Sequence, residues 1–110
     1  MDIKVKYLPE ASEFMLSIDQ AAAKKLAYNV TKVCLGIKDK EVFKKLEGSD
    51  IWEFRALQGG NCYRLLSFWD TRTETLVVAT HGIMKKSQKT PAKEIAKAEA
   101  IRKNYFDNNK

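Results

Sequence analysis

Apolar residues recur along the first third of the chain with spacings that predict one strand and two helices. Ile3, Val5 and Tyr7 alternate with lysines, which predicts a short strand with one buried face. Pro9 suits the first turn of a short helix that ends near Ser17. A second, longer helix follows it.

Asp19 is the predicted N-cap of the longer helix, and Gly36 lies near its end. The apolar residues of this helix recur every three or four positions, so they form one stripe that packs in the core: Ala23, Leu26, Ala27, Val30, Val33, Cys34 and Ile37. The next segment, residues 38–50, is charged and ends in the turn signal Glu47-Gly48-Ser49-Asp50.

The second half of the chain has the pattern of a β-meander followed by a helix. Residues 51–57, 61–69 and 74–81 are predicted strands, with a two-residue hairpin turn at Gly59-Gly60 and a second turn at residues 70–73.

Thr90 and Pro91 predict the start of a last helix, with Thr90 as its cap. The apolar side of this helix carries Ile95, Ala98, Ile101 and Tyr105. The predicted order is therefore β-α-α-β-β-β-α. Early helices followed by a meander indicate an α+β fold: a small, mostly antiparallel sheet with an N-terminal helical hairpin and a C-terminal helix.

Length and composition limit what such a chain can be. With 110 residues and 45% hydrophobic content, residues 1–110 are predicted to form a single domain. No apolar stretch approaches the roughly 20 residues of a membrane span, and residues 1–4 do not resemble a signal peptide. Cys34 and Cys62 lie in different predicted elements, so we expect two reduced thiols and a cytoplasmic protein. With one histidine in the chain, neither a zinc site nor another cofactor is predicted.

Positive charge is concentrated near the C-terminus. The chain carries a formal charge of +6, and residues 84–110 hold eight Lys or Arg against three Asp or Glu. The segment from His81 to Pro91 connects the last strand to the last helix and contains three lysines. One interpretation is a solvated basic face. The other is a surface for a phosphate-bearing partner, because focused positive potential attracts polyanions.

The turn at Gly59-Gly60 places Arg55 directly opposite Arg64 on the neighbouring strand. Like charges that face each other across a strand pair are unfavourable, and a bound anion would explain them because guanidinium groups match phosphate geometry. The other interpretation is a pair of ordinary surface arginines, and a different turn length would separate them. The opposite face is predicted to be core: Trp52, Phe54, Tyr63 and Leu65.

Three further groups can complete such a site. Glu53 shares the arginine face by alternation, where it can orient Arg55 or accept a proton. His81 joins that face near Cys62 if the second hairpin has the matching register, and a different register removes this match. The Lys85-Lys86 pair follows the strand and can close over the arginines.

Three motifs together resemble a known family. They are Ile51-Trp52-Glu53-Phe54-Arg55, then Tyr63-Arg64-Leu65-Leu66, then the segment from His81 to Pro91 with its Lys85-Lys86-x-x-Lys89-Thr90-Pro91 element. The chain is similar to the RelE/HigB superfamily of type II toxin–antitoxin toxins, especially to its phage-derived, HigB-like branch. The likeness covers roughly residues 51–105 well, although Ile83 stands where an aromatic residue is common in this branch.

The resemblance implies a RelE-like fold and a ribosome-dependent mRNA endonuclease (an mRNA interferase) that inhibits translation. It implies neutralisation by a cognate antitoxin, usually a helix-turn-helix protein in this branch, and the ribosome and mRNA as further partners. The residues that it carries over are Arg55, Arg64 and Lys85 or Lys86.

Cleavage of RNA by attack of a 2′-OH on the adjacent phosphorus needs charge stabilisation, a base and an acid. We expect Arg55 and Arg64 to stabilise the phosphate, and the Lys85-Lys86 pair to contact the phosphate or the leaving group. Glu53 and His81 are the candidate bases.

Further lysines near the last helix are expected to bind RNA backbone: Lys89, Lys93 and Lys97. No carboxylate cluster suggests a catalytic Mg²⁺, so cleavage is predicted to be metal-independent. The alternative function is a basic module that binds RNA or protein without chemistry.

Overall fold

The computed structural model describes residues 3–72, 76–86 and 89–108. Its elements are β1 (Lys4–Tyr7), α1 (Pro9–Ser17), α2 (Gln20–Cys34), β2 (Phe43–Lys45), β3 (Trp52–Gln58), β4 (Asn61–Asp70), β5 (Leu76–Lys85) and α3 (Ala92–Asn108). The strands form one sheet in the order β1-β5-β4-β3-β2. Strands β1 and β5 are parallel, and the other three neighbouring pairs are antiparallel. The predicted α+β fold with a mostly antiparallel sheet is confirmed.

Strand β2 was missing from the predicted order. Its three residues are too few to show alternation, and they lie in a segment whose many charges are typical of a loop. β2 pairs antiparallel with β3, which places Lys44 opposite Glu53. The sheet therefore has one more strand than predicted, at the edge next to the strand that carries Glu53 and Arg55.

Different helices cover the two faces of the sheet. The first core cluster joins α1 and α2 to one face, where the predicted core residues Phe54, Tyr63 and Leu65 are buried. The second cluster joins α3 to the other face, over Leu66 and Phe68. Because neighbouring residues of a strand point to opposite faces, the arginines of β3 and β4 lie on the α3 face.

The turn between β3 and β4 sets their register. Gly59 and Gly60 have φ angles of 58° and 81°, the left-handed values that a type I′ hairpin turn needs at both central positions. Gln58 pairs with Asn61, and Arg55 pairs with Arg64. The predicted pairing of the two arginines is confirmed.

The second hairpin differs from the prediction. β5 continues through His81 to Lys85, so the first part of the basic segment is strand rather than connection. Cys62 pairs with Lys85 and Leu66 pairs with His81, and a bulge follows Leu66. His81 therefore shares the arginine face, but the predicted position near Cys62 is wrong. The predicted start of this strand at residue 74 lies outside the described residues.

Helix α2 begins as predicted and ends early. A carboxylate oxygen of Asp19 accepts the backbone N–H of Ala22 at 3.4 Å, which confirms the N-cap. The helix ends at Cys34, and Gly36 has a φ of 86°, a conformation that commonly stops helices. Ile37, predicted to lie on the buried stripe, is instead 49% exposed, and Leu35 is 74% exposed.

A polar network fastens the far end of α3 to the end of β4. The Tyr105 hydroxyl donates to Asp70 at 2.8 Å, and Arg72 donates to both oxygens of the same carboxylate at 3.1 Å. The hydrogen bond from Arg72 is the main cause that lowers the pKa of Asp70 to about 2. Of the predicted apolar side of α3, Ile95, Ala98 and Tyr105 pack in the second core cluster.

Two further observations concern the cysteines and membranes. Cys34 and Cys62 are both free thiols, as predicted. Within the described ranges, no helix combines the length and the apolar character that crossing a membrane requires.

Replacing Asp70 with Asn is expected to flatten the acid side of the stability profile. The folded pKa of Asp70, about 2, lies below the unfolded value, so this carboxylate stabilises the fold above about pH 4, and that contribution is lost as the pH falls towards 2. Urea unfolding between about pH 5 and pH 2 measures the effect. Asp50→Asn, at a side chain that is 70% exposed, is the control that should keep the wild-type profile.

Candidate active site

Five side chains on the α3 face form a closed ring of polar contacts, which we name the arginine cluster: Glu53, Arg55, Cys62, Arg64 and Thr90. Strand β3 contributes the first two, β4 the next two, and the residue before Pro91 the last. The hairpin register creates this cluster, because it sets Arg55 and Arg64 opposite each other, with Glu53 and Cys62 one position away on the same face.

Thr90 closes the ring from above the sheet. Its hydroxyl accepts a hydrogen bond from Arg64 Nη1 at 2.8 Å and donates one to Glu53 Oε2 at 2.6 Å. A hydroxyl has one proton to donate, so the two roles are complementary. Thr90 was predicted to cap α3. Its side chain instead joins the start of α3 to β3 and β4.

Glu53 and Cys62 complete the ring beside the two guanidinium groups. Arg55 Nε lies 3.4 Å from Glu53 Oε1. Cys62 Sγ is 3.4 Å from Arg64 Nε and 4.0 Å from Arg55 Nη2. One carboxylate thus offsets the repulsion between two facing cations, and the cluster keeps one positive charge in excess. From the opposite face, buried Asn29 of α2 donates to the backbone oxygen of Arg55 at 2.7 Å.

Burial distinguishes the two arginines. Arg64 is 0% exposed and Glu53 is 1% exposed, whereas 12% of the Arg55 side chain is exposed. In this conformation Arg64 cannot touch a phosphate, which corrects the direct contact expected from the sequence. Arg55 is the guanidinium of the cluster that solvent reaches.

Lysines lie on two sides of the cluster. Lys85 is exposed, and it lies on the arginine face because it pairs with Cys62. Lys86 follows at the end of β5 and is exposed too. On the other side, Lys44 and Lys89 line a cavity of about 330 Å³ that also borders Glu53 and Thr90.

Sequence reasoning missed Lys44 because it missed β2. The signal that could have found it is the turn Glu47-Gly48-Ser49-Asp50, since a turn directly before a strand favours a hairpin partner on its other side. Thr90 was noticed only for its local capping pattern. A hydrogen bond to strands far away in the sequence leaves no local signal.

His81 belongs to a different pocket, of about 590 Å³, which lies between α1, β5 and α3. Its Nδ1 lies 2.9 Å from Thr80 Oγ1, its Nε2 lies 3.1 Å from Glu94 Oε1, and the residue is 3% exposed. Burial lowers the pKa of His81, against the hydrogen bond with Glu94, which raises it. Because both ring nitrogens are engaged, His81 can take a proton from a substrate only by giving up one of these contacts.

The three lysines expected to bind RNA do not share one environment. Lys89 and Lys93 are exposed near the start of α3. Lys97 instead lines the His81 pocket and forms an ion pair with Glu10 of α1 at 2.7 Å. In the part of the chain that the structure describes, no three His, Cys, Asp or Glu side chains group as a metal site would require.

The family of the chain follows from its sequence match. Residues 13–103 match the family model described as phage derived protein Gp49-like (DUF891). The chain belongs to this Gp49-like family. No curated protein matches the sequence of the chain significantly.

Solved structures show the fold of this Gp49-like chain in another protein. An arginine-to-alanine double mutant of E. coli toxin RelE in the free state aligns with a TM-score of 0.66 and 15% identity, over 93% of this chain and 98% of RelE. A chain of the toxin–antitoxin complex RelBE2 from Mycobacterium tuberculosis aligns with a TM-score of 0.49 and 20% identity, over 74% of this chain and 96% of that chain. The RelE-like fold predicted from the motifs is confirmed by the alignment with RelE, and the sequence match agrees with the predicted phage-derived branch.

Thr90→Val is expected to lower the free energy of unfolding by roughly 2–4 kcal/mol, because it removes two buried hydrogen bonds to charged partners while keeping the side-chain shape. Thr31→Val is the matched control. The Thr31 hydroxyl donates to the Ala27 carbonyl at an exposed position, so its loss should cost less than about 0.5 kcal/mol. Equal losses in urea unfolding of the two variants would contradict a linking role for Thr90.

Proposed function

We propose that this chain is the toxin of a type II toxin–antitoxin system and that it cleaves mRNA on the ribosome in the cytoplasm. The observation that supports the proposal best is the facing pair of Arg55 and Arg64, held by Glu53 and Thr90 on a RelE fold. A folding core rarely needs two facing guanidinium groups, whereas the transition state of RNA cleavage gathers negative charge on phosphate oxygens.

The proposed mechanism rests on preorganised positive charge. The 2′-OH loses its proton to a base and attacks the adjacent phosphorus, the bond to the 5′-oxygen breaks to leave a 2′,3′-cyclic phosphate, and the departing 5′-oxygen takes up a proton from water. Arg55, at the exposed edge of the cluster, contacts the phosphate oxygens together with Lys85 or Lys86. Arg64 adds its positive charge from the buried side of the cluster and holds Thr90 in place. Positive charge is thus supplied by side chains, and the reaction proposed does not use a metal ion.

Proton transfer contributes less to the proposed catalysis than charge stabilisation does. Each oxygen of Glu53 already has a partner, and so does each ring nitrogen of His81. Either group must release a contact before it acts as the base. Lys44, Lys89 and Lys93 are proposed to contact the RNA backbone beside the cluster.

The proposed partner is a cognate antitoxin of the helix-turn-helix type, which binds the toxin and prevents cleavage. Membership of the Gp49-like family and the RelE fold support an antitoxin as the partner, and the helix-turn-helix type is what the resemblance of the sequence motifs implies.

A non-catalytic basic module remains a second candidate, favoured by the burial of both candidate bases. Such a module would bind RNA in a salt-sensitive way and leave it intact. Mapping of mRNA 5′ ends after induced expression separates the two functions, because new ends within translated regions arise only from cleavage.

Arg55→Lys is expected to reduce mRNA cleavage roughly 10²–10³-fold, because the charge remains but the planar fork that binds phosphate oxygens is lost. The measurement is the yield of new 5′ ends after induction, with folding checked by urea unfolding. Lys24→Arg, at an exposed position of α2, is the control and should cleave as the wild type does. Wild-type cleavage by a folded Arg55→Lys variant would remove Arg55 from the site.

A further inference from the structure

A long apolar groove of about 800 Å³ lies on the sheet face opposite the arginine cluster, near the end of α2. We name it the tryptophan groove; its lining residues include Ile37, Lys38, Asp39, Lys40, Phe43, Trp52 and Trp69. Both tryptophans of the chain line it. Neither the proposed chemistry nor the proposed RNA contacts use this surface.

The groove is apolar because α2 ends early and leaves its last apolar residues uncovered. Leu35 is 74% exposed and Ile37 is 49% exposed at its edge. Exposed apolar surface is unfavourable relative to buried apolar surface. A contiguous apolar hollow with a polar rim is therefore typical of a binding surface.

The aromatic rings in the groove are already packed on one another. Phe43 stacks on Trp52 with centroids 4.9 Å apart, and the edge contact between Trp52 and Trp69 spans 6.1 Å. Nucleic-acid bases need free ring faces on which to stack. The geometry instead suits aliphatic side chains of a protein partner that fit between the rings and Ile37.

Charge at the rim favours an acidic partner over a second copy of the chain. Lys38, Asp39 and Lys40 all line the groove, so these three side chains give its rim one net positive charge. The Asp39 carboxylate accepts the backbone N–H of Glu41 at 2.9 Å. A second copy related by a two-fold axis would set these lysines against their equivalents. The formal charge of +6 on each copy adds to that repulsion.

We infer that the tryptophan groove binds an acidic segment of the antitoxin, with aliphatic side chains between Ile37, Trp52 and Trp69 and carboxylates on Lys38 and Lys40. This inference rests on the proposed function. Along β3, Trp52 and Phe54 alternate with Glu53 and Arg55, so the partner contacts the back of the strand that carries the cluster. The arginine cluster therefore stays uncovered by this segment.

The two tryptophans provide a direct readout. The chain is labelled with 5-fluorotryptophan, and its two ¹⁹F resonances are followed during a titration. The titrant is the unlabelled product of the adjacent gene, which is the antitoxin of the proposed system. We expect both resonances to shift as the complex forms. A complex that leaves both resonances unchanged would overturn the inference.

Variants locate the contact. Ile37→Glu and the double variant Lys38→Glu/Lys40→Glu are each expected to raise the antitoxin Kd at least about tenfold, a loss of about 1.4 kcal/mol. Leu16→Glu, at an apolar residue that is 87% exposed on α1, is the control for the first and should bind normally. Lys24→Glu/Lys103→Glu is the matched charge control for the second.

Two further titrations test the other occupants. If single-stranded RNA shifts the resonances, the occupant of the groove is RNA rather than the antitoxin. If raising the concentration of the chain alone shifts them, the occupant is a second copy.

The outcomes for the groove and for the reaction can be told apart. If groove variants bind antitoxin weakly but no variant cleaves mRNA, only the proposed endonuclease activity fails. If cleavage occurs and groove variants are bound and neutralised as the wild type is, only the groove assignment fails.

Discussion

Two guanidinium groups face each other across β3 and β4, and one buried carboxylate lies beside them. The contact of Arg55 and Arg64 with Glu53 constrains what surrounds it. Facing cations on adjacent strands repel each other, and Glu53, Cys62 and Thr90 offset that repulsion because they supply acceptors at close range. The positive charge that remains in excess can attract the phosphate of the proposed RNA substrate. The same arrangement thus provides a structural link and the proposed chemistry.

Helix α3 connects this cluster to the rest of the fold. Thr90 holds the start of the helix to the arginine strands, Glu94 meets His81 one turn later, and Tyr105 reaches Asp70 at the far end. These polar contacts lie on either side of an apolar strip packed on Leu66 and Phe68. The tryptophan groove lies on the other face, where α1 and α2 leave part of the sheet uncovered.

The sequence predicted those parts of the site that depend on local signals. The glycine pair at residues 59–60 determined the pairing of Arg55 with Arg64, and alternation placed Glu53 on their face. The three-residue strand β2, and with it Lys44, was missed because so short an element has no periodicity. The bulge after Leu66 and the extension of β5 moved His81 away from Cys62, since register depends on tertiary pairing that local pattern does not reveal. The hydrogen bond from buried Arg64 to Thr90 joins residues that are 26 positions apart. Spacing along the sequence alone does not predict such a contact.

If Glu53 offsets the repulsion between the facing arginines, a double-mutant cycle on Glu53 and Arg55 will show their coupling. The free energy of unfolding is measured by urea for the wild type, Glu53→Gln, Arg55→Gln and the double variant. Glu53→Gln leaves two facing cations without their carboxylate, so removing one of them should restore stability. We expect the double variant to be at least as stable as Glu53→Gln alone, with a coupling of about 1 kcal/mol or more. Losses that simply add, leaving the double variant the least stable of the four, would contradict it.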